Sequence, residues 1–272
     1  MKTTKPHLSA TQLEMYCRCP ESYRRRYIEG EVIPPGIALL KGSGFHKGAE
    51  VNMRQKIDTH RDLPVSDVVD AAVAAFEEAT AGEYVLTEEE ESRGATVVVS
   101  EAKDDLAEMA TVHAKDQAPD YQPVAVEKRV LLELPEAPRD LLGIIDLVDD
   151  QDRVVDFKTA GRKKSQDEAD VSTQLTVYAA AFVRERNTPP SELRLDCVVQ
   201  TKTRTTRQVI TTQRDSADFA ALAARINAVT QAIAAGSFPP ALPGTWWCSD
   251  RFCGYWRTCP FVNSERKALA AS

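Results

Sequence analysis

The stretch from Leu142 to Lys158 holds two apolar runs, Leu-Gly-Ile-Ile-Asp-Leu-Val and Arg-Val-Val-Asp-Phe-Lys, joined by the Asp-rich segment Asp149 to Asp152. Short runs rich in Val and Ile on either side of turn-forming residues predict a tight β-hairpin. Side chains alternate between the faces of a strand, so Asp156 and Lys158 share one face while Val155 and Phe157 take the other. Asp146 interrupts the first run in the same way. Two carboxylates and an ammonium in an otherwise apolar hairpin are costly to bury unless they are paired or bind a metal. The hairpin is therefore a candidate functional site, with a solvent-facing edge hairpin as the alternative.

A chain of 272 residues with 43% hydrophobic and 28% charged content describes a soluble globular protein with a sizeable core. It lacks a run of about 18 apolar residues, and Met1 to Pro6 lacks the apolar region of a secretory signal, so an intracellular, cytoplasmic protein is expected. The 34 Lys and Arg against 41 Asp and Glu give a net charge of −7, which argues against a general polyanion-coating protein. A local basic groove stays open, because between Ser66 and Met109 the only bases are Arg93 and Lys103.

Near the N-terminus, Ser9 with Gln12 reads as a capping box that starts a short helix. Glu21 to Tyr27 interleaves Arg and Tyr in a way suited to phosphate contact and base stacking, or to a solvated helix whose tyrosines are core. After the Gly-rich break Gly42-Ser43-Gly44, a new helix places His46 and Glu50 on one face. From Val65 to about Gln117 the pattern is helical, with Val68, Val69, Ala72, Val73 and Phe76 as one stripe. His7, His60 and His113 occupy a tail, a loop edge and an acidic helical segment, which leaves His46 as the histidine with a suggestive setting.

Val124 to Leu134 reads as a strand interrupted by Glu127, with Pro135 and Pro138 marking the break that follows. Beyond the hairpin come a basic loop, Gly161 to Lys164, and a helix, Val171 to Arg186, in which Gln174 and Tyr178 share a face. Glu192 to Gln200 and Arg204 to Gln213 form a second hairpin, with Cys197 as an inert core thiol. Ser216 to Ala235 is a helix with Phe219, Leu222, Ala223, Ile226, Val229 and Ile233 on one stripe and Gly236 as its stop.

Cys248, Cys253 and Cys259 lie close together among Trp246, Trp247, Tyr255 and Trp256. In an intracellular chain such spacing points to metal ligation rather than disulfides, with Cys17 or Cys19 as the fourth ligand. Zinc and iron–sulfur clusters both accept four thiolates, and reduced cysteines in an aromatic core are the remaining alternative.

The ordered set Gly44-Phe45-His46, Glu127, Gly143 to Asp146, Asp156-Phe157-Lys158 and Gln174 to Tyr178 resembles the motifs of RecB-like nucleases in the PD-(D/E)XK superfamily. Cys19-Pro20 with the C-terminal cysteines resembles the four-cysteine, [4Fe–4S]-binding branch, which includes CRISPR-associated and helicase-linked exonucleases. Four residues separate Cys248 from Cys253 and five separate Cys253 from Cys259, where that branch commonly has two and then five.

The resemblance implies an α/β, restriction-endonuclease-like core: a central mixed β-sheet flanked by helices, with a cysteine-ligated staple joining the chain ends. A single domain over 1–272 would comprise N-terminal helices (1–60), a helical scaffold (61–120), the catalytic sheet core (121–215), and the C-terminal helix with the cysteines (216–272). Implied catalytic residues are Asp146, Asp156, Lys158, Glu127, Gln174 and Tyr178. Mg²⁺ or Mn²⁺ would sit at His46, Asp146, Asp156 and Phe157, and a [4Fe–4S] cluster, or zinc, at Cys19, Cys248, Cys253 and Cys259. Arg24, Arg25, Lys41, Lys47, Arg162, Lys163 and Lys164 would form a basic track.

The expected activity is a metal-dependent DNA exonuclease acting at single-stranded ends in recombination, repair or replication, with a helicase or recombination partner and no membrane. A catalytically silent nucleic-acid-binding or scaffold module with a structural thiolate metal is the alternative. An iron-dependent oxygenase would need a second well-placed histidine.

Overall fold

A computed structural model describes residues 6–134 and 137–263, so expectations resting on Met1 to Lys5 and on Pro135 lie outside the described residues. In chain order the elements begin with β1 (His7–Ser9), α1 (Ala10–Arg18), α2 (Pro20–Tyr23), α3 (Ile37–Thr59), α4 (Val65–Thr80), α5 (Glu88–Arg93) and α6 (Ala95–Val112). The sheet strands follow as β2 (Pro123–Leu132), β3 (Asp140–Asp149) and β4 (Arg153–Ala160). Then come α7 (Gln166–Asp170), α8 (Thr173–Arg186), β5 (Glu192–Gln200), β6 (Thr205–Thr212) and α9 (Ser216–Ala234). The chain divides into two compact units, one of residues 1–33, 133–141 and 220–272, the other of residues 34–132 and 142–219.

In the first unit, α1 starts on the expected capping box. The Gln12 N–H donates to Ser9 Oγ at 3.1 Å, and the Ser9 N–H donates to Gln12 Oε1 at 2.7 Å. In the Arg–Tyr run, Tyr23 and Arg25 serve packing, while Tyr27 is exposed and Arg24 and Arg26 are half-buried. Tyr23 is buried and stacks on Phe238 with ring centroids 6.4 Å apart. Arg25 is buried and clamps Glu31 through two 2.6 Å hydrogen bonds. The α9 stripe contains Leu222, Ile226, Val229 and Ile233, while Ala223 is exposed, and Gly236 stops the helix region at φ +68°.

The second unit is a mixed sheet flanked by helices. β2 pairs with β3, β3 with β4 antiparallel, β4 with β5 parallel, and β5 with β6 antiparallel. In the β3–β4 turn, Asp149 Oδ1 accepts from the N–H groups of Gln151 and Arg153 at 3.1 and 2.9 Å. One face of β4 sends Val155 and Phe157 into a core built with α3, α4 and α6; the other turns Asp156 and Lys158 toward α8.

Helix α3 corrects the expected Gly-rich break, because it begins after Gly36 and runs straight through Gly42, Gly44 and Gly48. These glycines permit close packing rather than a turn. A Cβ on Gly44 would lie 2.8 Å from Leu106 Cδ2 and 2.9 Å from the Ala72 carbonyl, and one on Gly48 would lie 2.9 Å from both Ala72 Cβ and the Val68 carbonyl. Two further boundaries differ: β2 starts at Pro123 and ends at Leu132, and α8 starts at Thr173, after the separate short helix α7. Ser172 caps α8 by accepting from the Leu175 N–H at 3.2 Å.

Beneath the sheet, His113 is fully buried between the rings of Phe45 and Phe157, with centroids 5.6 and 5.3 Å away. Gln117 donates through Nε2 to Asp196 Oδ1 at 2.9 Å, so its oxygen faces His113 and receives the Nδ1 proton at 2.9 Å. His113 Nε2 has no partner among the described residues. Asp196 is held in turn by the Tyr121 hydroxyl at 2.6 Å and by Arg207 at 2.7 Å. The sequence carried the signal for this network, an Asp between Leu195 and Cys197 in an apolar strand, yet nothing in it said which distant groups would answer Asp196.

Gly44→Ala is expected to destabilise the protein by about 1–3 kcal/mol, because a backbone carbonyl cannot yield to the new methyl. Gly42→Ala meets only Thr159 Oγ1 at 3.6 Å and should be neutral or stabilising by up to about 1 kcal/mol. Urea unfolding midpoints of the two variants would check this, and equal destabilisation by both would refute the close-packing account.

Burial depresses the His113 pKa from 6.5 to about 4. Between those values the unfolded chain binds a proton that the native state refuses, so this contribution is complete above about pH 6.5, is lost as the pH falls toward 4, and is flat below. The loss amounts to roughly 3 kcal/mol at most. Unfolding free energies of wild type and His113→Gln across this range should therefore diverge, and parallel profiles would contradict a neutral buried imidazole.

Candidate active site

The β3–β4 register runs through Val148↔Val154 and Leu147↔Val155. Two residues further along β4, the Phe157 N–H donates to the Asp146 side chain, at 2.8 Å to Oδ2. A carboxylate there replaces a strand carbonyl, so the charge sits inside the sheet with one oxygen already engaged. Asp156 is buried beside it, with Oδ1 accepting from Lys158 Nζ at 2.9 Å. Asp156 Oδ2 is buried with no hydrogen-bond partner among the described residues.

His46 comes from α3, with Nδ1 3.8 Å from Asp146 Oδ2. Glu127 comes from β2 at φ +49°, a left-handed conformation that is costly for a non-glycine residue within a strand. The kink turns its carboxylate toward the same point. One ligand atom each from His46, Glu127 and Asp146 lie within 4.8 Å of one another. Phe157 borders the same small void, so its carbonyl is the group through which it could contribute. Asp156 stands outside this trio, committed on one side to Lys158. An open groove of about 430 Å³ adjoins the trio, lined in part by Gly42, Ser43, Lys47, Glu50 and Thr159.

The electrostatics follow from burial and crowding. Burial first, and then the Asp156 charge, raise the Asp146 pKa well above the usual carboxylate range. Burial and then Glu50 raise that of Glu127. Burial and then the Lys158 ammonium push His46 below its ordinary value, which leaves a neutral imidazole with a lone pair to offer. Burial opposes the Lys158 charge, but Asp156 and Asp146 outweigh it and hold its pKa above the ordinary value. The cluster has more negative charge than its single ammonium balances.

Lys158 Nζ also donates to Gln174 Oε1 at 3.0 Å, and Gln174 Nε2 meets the Tyr178 hydroxyl, which donates to the Ile144 carbonyl. The shared face expected for Gln174 and Tyr178 thus fastens α8 to Lys158 and β3. Hard oxygen donors with one imidazole, an unsatisfied buried carboxylate oxygen and excess negative charge fit a divalent cation of the Mg²⁺ or Mn²⁺ kind.

In the other unit, Cys19, Cys248, Cys253 and Cys259 are half-buried and line one cavity of about 300 Å³, whereas Cys17 is exposed and does not line it. Burial raises the Cys253 thiol pKa. Tyr255 and Trp256 are buried, but Trp246 is 61% exposed, so the expected aromatic shielding is only partial. Cys197 is wholly buried with its thiol pushed up to about 12, which matches an inert core thiol.

The expected basic track is largely ion-paired. Arg24 binds Glu21 at 2.7 Å, Lys41 binds Asp105 at 2.8 Å, Lys47 binds Glu50 at 3.1 Å, and Arg162 and Lys164 both bind Glu168 at 2.8 Å. Arg25 is structural through Glu31, and Lys163 is exposed.

Comparison with known proteins bears on the fold and the family of the chain. The fold matches the crystal structure of the Eubacterium rectale protein described as "Putative exonuclease" with a TM-score of 0.54 and 12% identity, covering 100% of this chain and 98% of that one. A second solved structure, SSO0001, is 13% identical over 96% of this chain and 88% of that one, with a TM-score of 0.41. A search of curated proteins finds no match. Residues 7–260 match the description of the PD-(D/E)XK nuclease superfamily, and with the carboxylate, lysine and histidine cluster inside that span, the chain belongs to this superfamily.

Proposed function

We propose that the chain is a metal-dependent deoxyribonuclease of the RecB-like, four-cysteine branch, folded as one nuclease domain. It acts as an exonuclease at single-stranded DNA ends in recombination, repair or replication, alongside a helicase or recombination partner. The observation that carries this reading is the convergence of His46, Glu127 and Asp146 within 4.8 Å, beside Asp156 and Lys158. An intracellular setting accords with the described helices, none of which is long and apolar enough to cross a membrane.

His46, Asp146, Glu127 and the Phe157 carbonyl would hold the cation, with Asp156 at its edge. When bound, a divalent cation there supplies charge neutralisation for the phosphate, a more acidic water and stabilisation of the leaving oxygen. Lys158 stays protonated, since its carboxylate neighbours raise its pKa. Its part is to orient the attacking water and offset phosphate charge, while Asp156 and Gln174 fix its direction. Asp156 Oδ2, buried and without a hydrogen-bond partner among the described residues, is the group assigned to accept a proton from that water. Tyr178, whose hydroxyl is engaged by Ile144 and Gln174, positions Gln174.

For the second group, the four cavity-lining thiols are suited to a shared metal centre, and the resemblance to the four-cysteine branch puts a [4Fe–4S] cluster ahead of zinc. Cys19, which lines that cavity, is assigned as the fourth ligand rather than Cys17, which does not.

End-labelled single- and double-stranded DNA incubated with purified protein should be cut only when Mg²⁺ or Mn²⁺ is present. Asp156→Ala should lower the rate by roughly a hundredfold or more while the protein stays folded. Lys158→Ala should lose activity yet keep Mn²⁺ affinity, and His46→Ala should weaken Mn²⁺ binding more than Mg²⁺ binding. Undiminished cleavage by Asp156→Ala would overturn the site assignment.

Protein purified without oxygen should be brown and contain iron and sulfide. Its thermal stability should drop when Cys19, Cys248, Cys253 or Cys259 becomes Ser, because the binding energy of the group is folding energy. Cys17→Ser and Cys197→Ser should leave the colour intact. Colourless protein with stoichiometric zinc would replace the cluster by zinc, and metal-free protein of unchanged stability would remove both.

A further inference from the structure

The segment that contains three of the cysteines treats its aromatic residues in opposite ways. Tyr255 and Trp256 are 6% and 7% exposed, whereas Trp246, Phe252 and Phe261 are 61%, 55% and 59% exposed. A large aromatic side chain gains roughly 1.5–3 kcal/mol on full burial, so a group of them left in water marks a surface that meets something else.

The exposed rings form one patch. Trp246 meets Trp247 at 5.5 Å and 81°, and Phe252 at 5.0 Å and 83°. Phe252 and Phe261 both line the cavity that the four cysteines line. Edge-to-face packing leaves more ring face open than parallel stacking would.

The patch is preorganised. Ser249 Oγ donates to the Trp246 carbonyl at 2.8 Å, the Cys253 N–H donates to the Ser249 carbonyl at 2.9 Å, and Trp247 Nε1–H donates to the Arg18 carbonyl at 3.1 Å. Arg251 lies with its guanidinium carbon 5.4 Å from the Phe252 ring centre, and Arg257, 60% exposed, is held alongside by Asp250 at 3.0 Å.

Open π-faces with cations beside them complement a ligand that has flat rings and negative charge on one chain. Single-stranded nucleic acid has both, while a duplex hides its base faces in the stack. Resting on the nuclease reading for its choice of partner, we propose that Trp246, Phe252 and Phe261 with Arg251 form a stacking platform for unpaired nucleobases. This is a single-strand-selective binding site in the unit that does not contain the His46–Glu127–Asp146 cluster.

The test uses the full chain in EDTA, so that nothing is cut, with a fluorescent oligo(dT) of about 16 nucleotides and a duplex of equal length. Trp246→Ala/Phe252→Ala should weaken oligo(dT) binding by about tenfold or more while duplex binding changes little. Unchanged oligo(dT) affinity, or an equal loss for duplex, would overturn the proposal. So would self-association of the wild type that the double variant abolishes without a change in oligo(dT) binding, since the patch would then join two copies. If the double variant fails to fold, Trp246→Tyr should retain affinity and Arg251→Glu should lose it, and the opposite result refutes the platform. Hydrolysis of a p-nitrophenyl ester of thymidine 5′-phosphate with Mn²⁺, too small to reach across a platform, should be the same for both proteins. A wild type inert toward that ester and toward DNA would sink the nuclease reading and leave the metal-free binding result to stand by itself.

Discussion

Two buried carboxylates and one half-exposed ammonium share one region of a β-sheet, and the imbalance between them shapes the candidate site. Charges about 4 Å apart interact by roughly 4 kcal/mol at the effective dielectric of a protein interior near its surface, so the arrangement must be held against its own repulsion. The protein does so with short, specific contacts. The Phe157 N–H binds Asp146, Lys158 binds Asp156, and Gln174 holds Lys158 from α8. What these contacts leave over is the bare Oδ2 of Asp156 and the raised pKa of Asp146, the two features a divalent cation would relieve.

Strand β4 couples this site to the core through its two-residue period. Phe157 is wedged among His113 and Tyr121 on one face, and Lys158 reaches Gln174 on the other. Slipping the strand by one residue would bury the ammonium against the phenyl cluster and turn Phe157 toward α8, so core packing sets the register of the candidate site. The close approach of α3 to α4 through Gly44 and Gly48 acts in the same sense, because it fixes the helix that delivers His46. Glu127 takes a left-handed conformation within β2, and its carboxylate lies with the His46 and Asp146 side chains.

The cysteine-bearing unit follows a different logic. It buries Tyr255 and Trp256 and gathers four thiols around one cavity, yet leaves other rings in water. A small segment built from turns has little core of its own, and a bound group that ties its cysteines would supply stability that hydrophobic burial there does not.

The hairpin, its charged face, the Ser9 cap, the inert Cys197 and the helical stripe of Val68, Ala72 and Phe76 were all legible in the sequence, because each depends on local spacing and on the cost of burying charge. The glycines of α3 were misread as a break, since their purpose lies in Leu106 and Ala72, partners from other elements. The stripe expected on α9 included Ala223, which helical periodicity alone could not exclude. The sequence placed His113 in an acidic helical segment, and only tertiary packing put it between two phenyl rings. Likewise the sequence marked Glu127 as a charge inside a strand, but neither its left-handed backbone nor its proximity to His46 and Asp146 could be read from local spacing. Local chemistry determined which residues were out of place in an apolar chain. Which of them would meet, and which cations would instead be tied up by nearby acids, was decided only when segments far apart in sequence came to share one interior.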